Sequence, residues 1–217
     1  VEDGVAPTPV VQDITVQLDA NGVATVDPND VDNGSSDNCG IASFNILNNL
    51  TYDCSDVGTN TDFFQVVDNS GNTASAQFTV TVEDNTAPNA ITQDITLQLD
   101  ANGQASIQAA DIDNGSTDNC NVNSLSLDVT NFDCSSIGQN TVTLTVQDGE
   151  GNSTTEIAIV TVEDNLAPSL TTQDITVDLA GNNSVSITAA QVLDSVVDNC
   201  SNVSDITLSL DQDTFTT

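Results

Sequence analysis

A repeat of about 80 residues runs through this 217-residue chain and constrains its fold more than any other feature. The tripeptide Val-Glu-Asp begins at Val1, Val82 and Val162, and Ala-Pro follows shortly after it each time. Gln-Asp-Ile-Thr and Asp-Asn-Cys recur at the same step. A fixed period of this kind is typical of tandem structural modules. The sequence therefore predicts three modules, at 1–84, 85–164 and 165–217.

Short segments of alternating apolar and polar residues predict β-strands within each repeat. Ile14, Val16 and Leu18 alternate with polar residues, and the turn Asp19-Ala-Asn-Gly22 then leads into 23–26, a pattern typical of a β-hairpin. A second hairpin is predicted around the turn at 68–72. About seven short strands per repeat, with no helical period, predict an all-β fold of tandem immunoglobulin-like β-sandwiches.

The third repeat is shorter than the other two. It ends at Thr217, which aligns with Cys134, and so lacks the last two strands. Either the polypeptide continues, or a neighbouring subunit supplies these strands by strand addition. We expect the first, because exposed sheet edges are normally avoided.

The charge of the chain is extreme. It has 33 Asp and Glu residues and no Lys, Arg or His, so its formal net charge is −33 and no side-chain ion pair can form. Cations are therefore the first partners to expect. Nucleic acid and anionic membrane surfaces are excluded, because binding to either depends on Lys and Arg. The commonest catalytic base and the cationic oxyanion stabilisers are also missing, so we predict no enzymatic activity.

Five cysteines form two similarly spaced pairs and one single residue. We predict disulfides between Cys39 and Cys54 and between Cys120 and Cys134, which leaves Cys200 without a partner. Such bonds indicate an oxidising compartment. Reduced, buried thiols are the alternative, and a zinc site is disfavoured because CxxC spacing and His are absent.

The closing part of the first repeat resembles a known family. Residues 66–82, Val-Val-Asp-Asn-Ser-Gly-Asn-Thr-Ala-Ser-Ala-Gln-Phe-Thr-Val-Thr-Val, are similar to the last hairpin of hyalin (HYR) repeats, as are Val57-Gly58, Ile137-Gly138 and the recurring Asp-Asn-Cys. Tandem copies joined by Val-Glu-Asp-Asn resemble long bacterial surface adhesins. The resemblance implies extracellular immunoglobulin-like modules. Ala76 and Glu156 stand where hyalin repeats often carry a cysteine, which implies a different disulfide pattern.

The linker from Thr81 to Pro88 resembles the acidic joints between cadherin repeats, where calcium stiffens the connection. Carboxylate and amide oxygens suit calcium. The alternative is that these residues are solvated turn residues without a metal. The predicted calcium ligands are Glu83, Asp84 and Asn85 with some of Asp111, Asp113, Asp118 and Asp148; their equivalents are Glu2, Asp3, Asp30, Asp32, Asp37 and Asp68 in the first repeat and Glu163, Asp164 and Asp198 in the third.

These features together predict an extracellular structural stalk at the bacterial cell surface, stiffened by calcium at its joints. Its partners would be adjacent repeats of the same or neighbouring chains. One alternative is a module whose loops bind carbohydrate or another cell, and a second is a filament subunit assembled by strand exchange. The near identity of the two full repeats favours a spacer, because binding specificity usually shows as loops that differ.

Overall fold

The computed structural model describes residues 3–179, 181 and 184–216. Most of the regular structure in this part of the chain is β-strand. The elements of the first repeat are β1 (Ile14–Gln17), β2 (Val23–Thr25), α1 (Pro28–Val31), β3 (Ile41–Ile46), β4 (Thr51–Asp53), β5 (Gly58–Asp68) and β6 (Thr73–Glu83).

Two sheets form the first repeat. One has the strand order β1-β6-β5-β3, and the other consists of β2 and β4. The long strands β5 and β6 form the hairpin predicted around the 68–72 turn, with Gly58 opposite Val82 and Val67 opposite Thr73. Strand β1 runs parallel to β6, with Ile14 opposite Val80.

The hairpin predicted around Asp19-Ala-Asn-Gly22 is wrong. The turn itself forms, because the Asp19 carboxylate accepts the backbone N–H groups of Asn21 (2.8 Å) and Val23 (3.1 Å). The strands on its two sides belong to different sheets, however, since β1 pairs with β6 and β2 pairs with β4. The turn therefore carries the chain from one sheet to the other.

The core lies between these sheets. Alternation along β5 and β6 directs Phe64, Val66, Phe78 and Val80 inward, and each is at most 2% exposed. Strands β2 and β4 contribute Ala24 and Tyr52 to the same cluster. Burial of these apolar side chains from both sheets stabilises the sandwich.

The second repeat contains the same elements in the same order, and the third contains part of them. In both full repeats the four-stranded sheet has the same arrangement, which in the second is β7-β12-β11-β9. The elements of the second repeat are β7 (Ile95–Gln98), β8 (Gln104–Ser106), α2 (Ala109–Ile112), β9 (Val122–Leu127), β10 (Asn131–Asp133), β11 (Gly138–Asp148) and β12 (Ser153–Glu163). Those of the third are β13 (Ser169–Thr172), β14 (Ser184–Ser186), α3 (Ala189–Val192), β15 (Leu193–Val197) and β16 (Thr214–Thr216).

The Cα positions group into two compact units. One contains residues 1–91, 114–126 and 145–156, and the other contains 92–113, 127–144 and 157–217. The all-β, immunoglobulin-like sandwich is confirmed. The module boundaries at 84 and 164 stay predictions. Among the described residues, no helix has the length and apolar character needed to cross a membrane.

Candidate metal centre at the acidic joint

The turn after β11 is organised by a buried carboxylate. Asp148 is 1% exposed, and its Oδ1 accepts the backbone N–H groups of Glu150 (3.0 Å), Gly151 (2.7 Å) and Asn152 (2.8 Å). Asp followed by small or polar residues folds in this way because its side chain satisfies the amides that follow it. The Asn152 side chain donates to the carbonyl oxygen of Asp84 at 2.9 Å. The turn is thereby attached to the linker that follows β6.

Asp84 in that linker is buried as well, at 3% exposed. Its Oδ1 accepts the N–H of Thr86 (3.0 Å) and the side-chain amide of Asn119 (3.1 Å). Its Oδ2 is buried and accepts no hydrogen bond from any described residue. Asp84, Asp148 and Glu150 each offer a carboxylate oxygen, and these oxygens all lie within 4.8 Å of one another.

The electrostatics of this cluster are unfavourable without a cation. Glu150 is exposed, but partial desolvation, followed by the charges of Asp148 and Asp84, raises its pKa above the usual range. Two further oxygens, Oδ1 of Asp118 and Oδ1 of Asn119, are buried without a hydrogen-bond partner among the described residues. Buried carboxylates are costly unless they are paired or bind a metal. No Lys, Arg or His exists in the chain to pair them.

A second cluster occupies the equivalent place in the first repeat. Carboxylate oxygens of Asp3, Asp37 and Asp68 lie within 4.8 Å of one another. The Asn72 side chain donates to the Asp3 carbonyl at 3.0 Å, as Asn152 does to Asp84. Oδ2 of Asp3 and Oδ2 of Asp37 are buried without a hydrogen-bond partner among the described residues. The same arrangement of unsatisfied oxygens is thus built twice.

The third repeat keeps part of this arrangement. Oδ1 of Asp164 accepts the side-chain amide of Asn199 at 3.0 Å, and Oδ1 of Asp198 is buried without a partner among the described residues. Within the described part of the chain, no third carboxylate completes a cluster here. Any cation at this position would therefore be bound by fewer charges.

Other predicted ligands lie outside the two clusters and make hydrogen bonds or pairings within the chain. Gln17 bonds to both Glu83 (2.6 Å) and Asn85 (2.8 Å), and Gln98 bonds in the same way to Glu163 (2.8 Å) and Asn165 (2.8 Å). Four more predicted ligands also lie outside the clusters: Asp30 in the first turn of α1, Asp32 accepting the N–H of Ser35, Asp111 accepting the N–H of Gln108 at the start of α2, and Asp113 in a β-bridge with Thr92. Glu2 lies outside the described residues.

Glu150 is the cluster residue that the sequence prediction missed. It lies inside the turn Asp-Gly-Glu-Gly-Asn, where Ser70 stands in the first repeat. The available signal was its position in the sequence: it is an acidic residue between two glycines, two positions after the predicted ligand Asp148.

The disulfides differ from the predicted pairs. Cys54 is bonded to Cys120 and Cys134 to Cys200, each across 66 positions, and Cys39 is an exposed free thiol. The predicted bonds Cys39–Cys54 and Cys120–Cys134 are therefore wrong. Each real bond joins one sequence repeat to the next.

The length of β5 explains the error. Cys39 lies beside the Asp68 end of this strand, where Asn69 donates to its carbonyl oxygen, whereas Cys54 lies just before the Gly58 end. Strand β5 is eleven residues long, so its ends lie roughly 33 Å apart at the rise of a β-strand. A disulfide requires Cα atoms about 4 to 7 Å apart, which this geometry forbids.

Comparisons with known proteins identify no family. No protein-family model matches the chain, and no curated protein sequence matches it. Among solved structures, Drosophila N-cadherin EC1-4 matches with 11% identity, a TM-score of 0.41 and coverage of 73% of this chain and 50% of that chain. Protocadherin gammaB7 EC3-6 matches with 17% identity, a TM-score of 0.37 and coverage of 93% and 63%.

An endo-fucoidan hydrolase of glycoside hydrolase family 107 also matches, with 15% identity, a TM-score of 0.25 and coverage of 74% of this chain and 29% of that chain. This chain thus spans less than two thirds of each of the three proteins. Because all three TM-scores are low, these likenesses carry no inference about function.

Proposed function

We propose that this chain is a structural segment of an extracellular bacterial surface protein, in which calcium at the acidic joints and disulfides between repeats fix successive β-sandwich modules. The observation that supports this most strongly is the buried carboxylate of Asp84, whose Oδ2 lacks a hydrogen-bond partner among the described residues, beside Asp148 and Glu150. In a chain without basic residues, a bound cation can balance the charge of this group while it stays ionised.

The chemistry of the donors selects the cation. The cluster offers carboxylate oxygens of Asp84, Asp148 and Glu150, and Asp118 and Asn119 add unsatisfied oxygens. Calcium accepts six to eight such hard oxygens in variable geometry, whereas magnesium retains several waters and demands a regular octahedron. A dense set of anionic oxygens held by different loops therefore suits calcium.

The proposed effect of calcium is to fix the linker. Asp84 follows the last strand of the first repeat, and Asp148, Asp118 and Asn119 belong to the second. An ion held by both sets would oppose bending at the linker and would relieve the repulsion between their carboxylates. In this function the chain acts as a stalk, and adjacent repeats are its partners.

The proposed location is the outside of the cell. Disulfides persist in oxidising compartments, and extracellular calcium modules bind calcium with dissociation constants of about 10⁻⁴ to 10⁻³ M. Both conditions fit a surface protein. In this proposal, another part of the protein, and not this stalk, would contact surface glycans or other cells.

Calcium stoichiometry tests the proposal. Equilibrium dialysis of chelator-treated protein in physiological salt should show two saturable sites, one at each cluster of three carboxylates. Asp84→Asn should abolish one of them. The matched control, Asp174→Asn, removes the same charge from an exposed position and should leave both sites. Absence of saturable binding, or two sites in Asp84→Asn, would contradict the proposal.

A further inference from the structure

At each joint between two repeats, the side chain of one Asn donates hydrogen bonds to both sides. Asn119 donates to Oδ1 of Asp84 (3.1 Å) and to the carbonyl oxygen of Asp19 (3.2 Å). In the next joint, Asn199 donates to Oδ1 of Asp164 (3.0 Å) and to the carbonyl oxygen of Asp100 (3.1 Å). Each Asn therefore joins a linker carboxylate to the Asp-Ala-Asn-Gly turn of the repeat before it.

The glycine of that turn packs directly on the neighbouring disulfide. A Cβ added to Gly22 would lie 2.6 Å from Sγ of Cys54 and 2.7 Å from the carbonyl oxygen of Asn119. A Cβ added to Gly103 would collide with Sγ of Cys134 and lie 3.0 Å from the carbonyl oxygen of Asn199. The dipeptides Asn119-Cys120 and Asn199-Cys200 are thus two equivalent surfaces, and on each of them a glycine turn and a cysteine of the preceding repeat pack.

Asn38 and Cys39 form the equivalent surface in the first repeat, and no Asp-Ala-Asn-Gly turn of the described residues packs on it. Cys39 N–H donates to the Asp37 carboxylate at 2.8 Å, as Cys120 N–H does to Asp118 at 2.9 Å. The Asn38 side chain lies 3.4 Å from Oδ1 of Asp3, the counterpart of the bond from Asn119 to Asp84. Asn38 and Cys39 are nevertheless exposed, whereas their counterparts in the later repeats are half-buried.

We propose that the surface formed by Asp3, Asn38 and Cys39, here called the Cys39 surface, docks another repeat module that presents an Asp-Ala-Asn-Gly turn and a free cysteine, and that this cysteine forms a disulfide with Cys39. A second copy of this chain does not meet the requirement, because its Cys54 and Cys134 are already bonded. The occupant is a module of the same kind whose second cysteine is unpaired.

The covalent step is a thiol–disulfide exchange. Cys39 and the cysteine of the module give up two protons and two electrons to a low-molecular-weight disulfide such as cystine, which is reduced to two thiols. Docking brings the cysteine of the module to Cys39 and so selects the partner of the exchange.

The proposal can be tested independently of calcium by adding one more repeat in front of the chain at the same repeat spacing. A copy of residues 1–81 placed directly before Val1 preserves the repeat step and puts its own Cys54 equivalent 66 positions before Cys39, the separation of both existing disulfides. After air oxidation with cystine in chelator, we expect one free thiol per chain, which is the Cys39 equivalent of the added copy. Peptide mapping should find the new bond at Cys39.

Two variants separate docking from bond formation. Cys39→Ser at the receiving position should raise the thiol count to two. In a second variant, Ser replaces the Cys54 equivalent of the added copy, so no new disulfide can form. Docking alone should then slow alkylation of Cys39 at least tenfold relative to the chain without the added copy. Hydrogen exchange in the added hairpin reports whether the copy folds. Three free thiols in the extended chain, or an unchanged alkylation rate, would overturn the proposal.

Discussion

Cys54 and Cys120 lie with their Cα atoms 5.5 Å apart and form a disulfide that joins two consecutive sequence repeats. Cys134 and Cys200 repeat this relationship with Cα atoms 5.2 Å apart. The bonds therefore hold the joints, while the core of each full repeat is closed by apolar packing of its long hairpin.

Loss of one joint disulfide should destabilise the chain strongly. A bond that closes 66 positions restricts the unfolded chain and contributes about 4 kcal/mol in the chain-entropy model. The double variant Cys54→Ser with Cys120→Ser should lose a comparable free energy of unfolding in urea titration. Cys39→Ser is the control and should change nothing, since this thiol is exposed and free. Equal stability of the double variant and the control would be inconsistent with a joint bond.

The disulfides should also shorten the chain under force. A pull on both ends passes directly from Cys54 to Cys120 and from Cys134 to Cys200, so the intervening residues are bypassed. Each bond hides 66 residue steps, or up to about 240 Å of extended chain. Optical-trap unfolding in reductant should therefore gain about 480 Å of contour length over unfolding without it. No gain would mean that the bonds are absent.

The bypass also explains how the calcium joint would survive tension. Asp84 lies between Cys54 and Cys120, whereas Asp148 and Glu150 lie between Cys134 and Cys200. All three residues of the cluster are therefore outside the covalent force path.

Substitution of the turn glycine should break the joint selectively. Gly22 has φ 73°, and an added Cβ would clash with Cys54 and Asn119, whereas Gly34 has φ 96° and an added Cβ there would have no atom within 4 Å. Both Ala variants incur the left-handed backbone cost of about 1 to 2 kcal/mol. Gly22→Ala should lose roughly 1 to 3 kcal/mol more, because sulfur and carbonyl must shift. Urea titration checks this, and equal losses in the two variants would contradict the packing described.

Glu150→Gln should act in opposite directions with and without calcium. In chelator it removes a negative charge that faces Asp84 and Asp148, so the melting temperature should rise. In calcium it removes a charged ligand, so calcium affinity should fall about tenfold, equivalent to about 1.4 kcal/mol. Calorimetric melting in both conditions measures the effect, with Asp174→Asn as the charge-matched control. A variant that is destabilised equally in both conditions would identify a purely structural role.

Local sequence patterns predict the parts of the fold that are formed by residues close together along the chain. The alternation through Phe64 and Val66, the turn at 68–72 and the alternation through Phe78 and Val80 give the β5–β6 hairpin that the structure contains. The parallel pairing of Ile14 with Val80 joins distant segments, and no local pattern shows it. For this reason the local pattern predicts a hairpin at the Asp19–Gly22 turn, although the turn connects two sheets.

The acidic site was predictable by residue type and the cysteine pairs were not. Asp84 and Asp148 were in the predicted set because carboxylates flank the linker and end a strand, and the structure places them together. Spacing along the chain misled for Cys39 and Cys54, because an entire strand length lies between them in space. Repeat equivalence was the better guide, since Cys39, Cys120 and Cys200 all follow Asp-Asn.

A crystal structure determined in calcium is the most direct test of the central claim, that a cation fixes the joint. The account predicts an ion bound by carboxylate oxygens of Asp84, Asp148 and Glu150, with six or more oxygens at about 2.3 to 2.6 Å. A cluster that contains only water under calcium saturation, with Oδ2 of Asp84 hydrogen-bonded to it, would contradict the account.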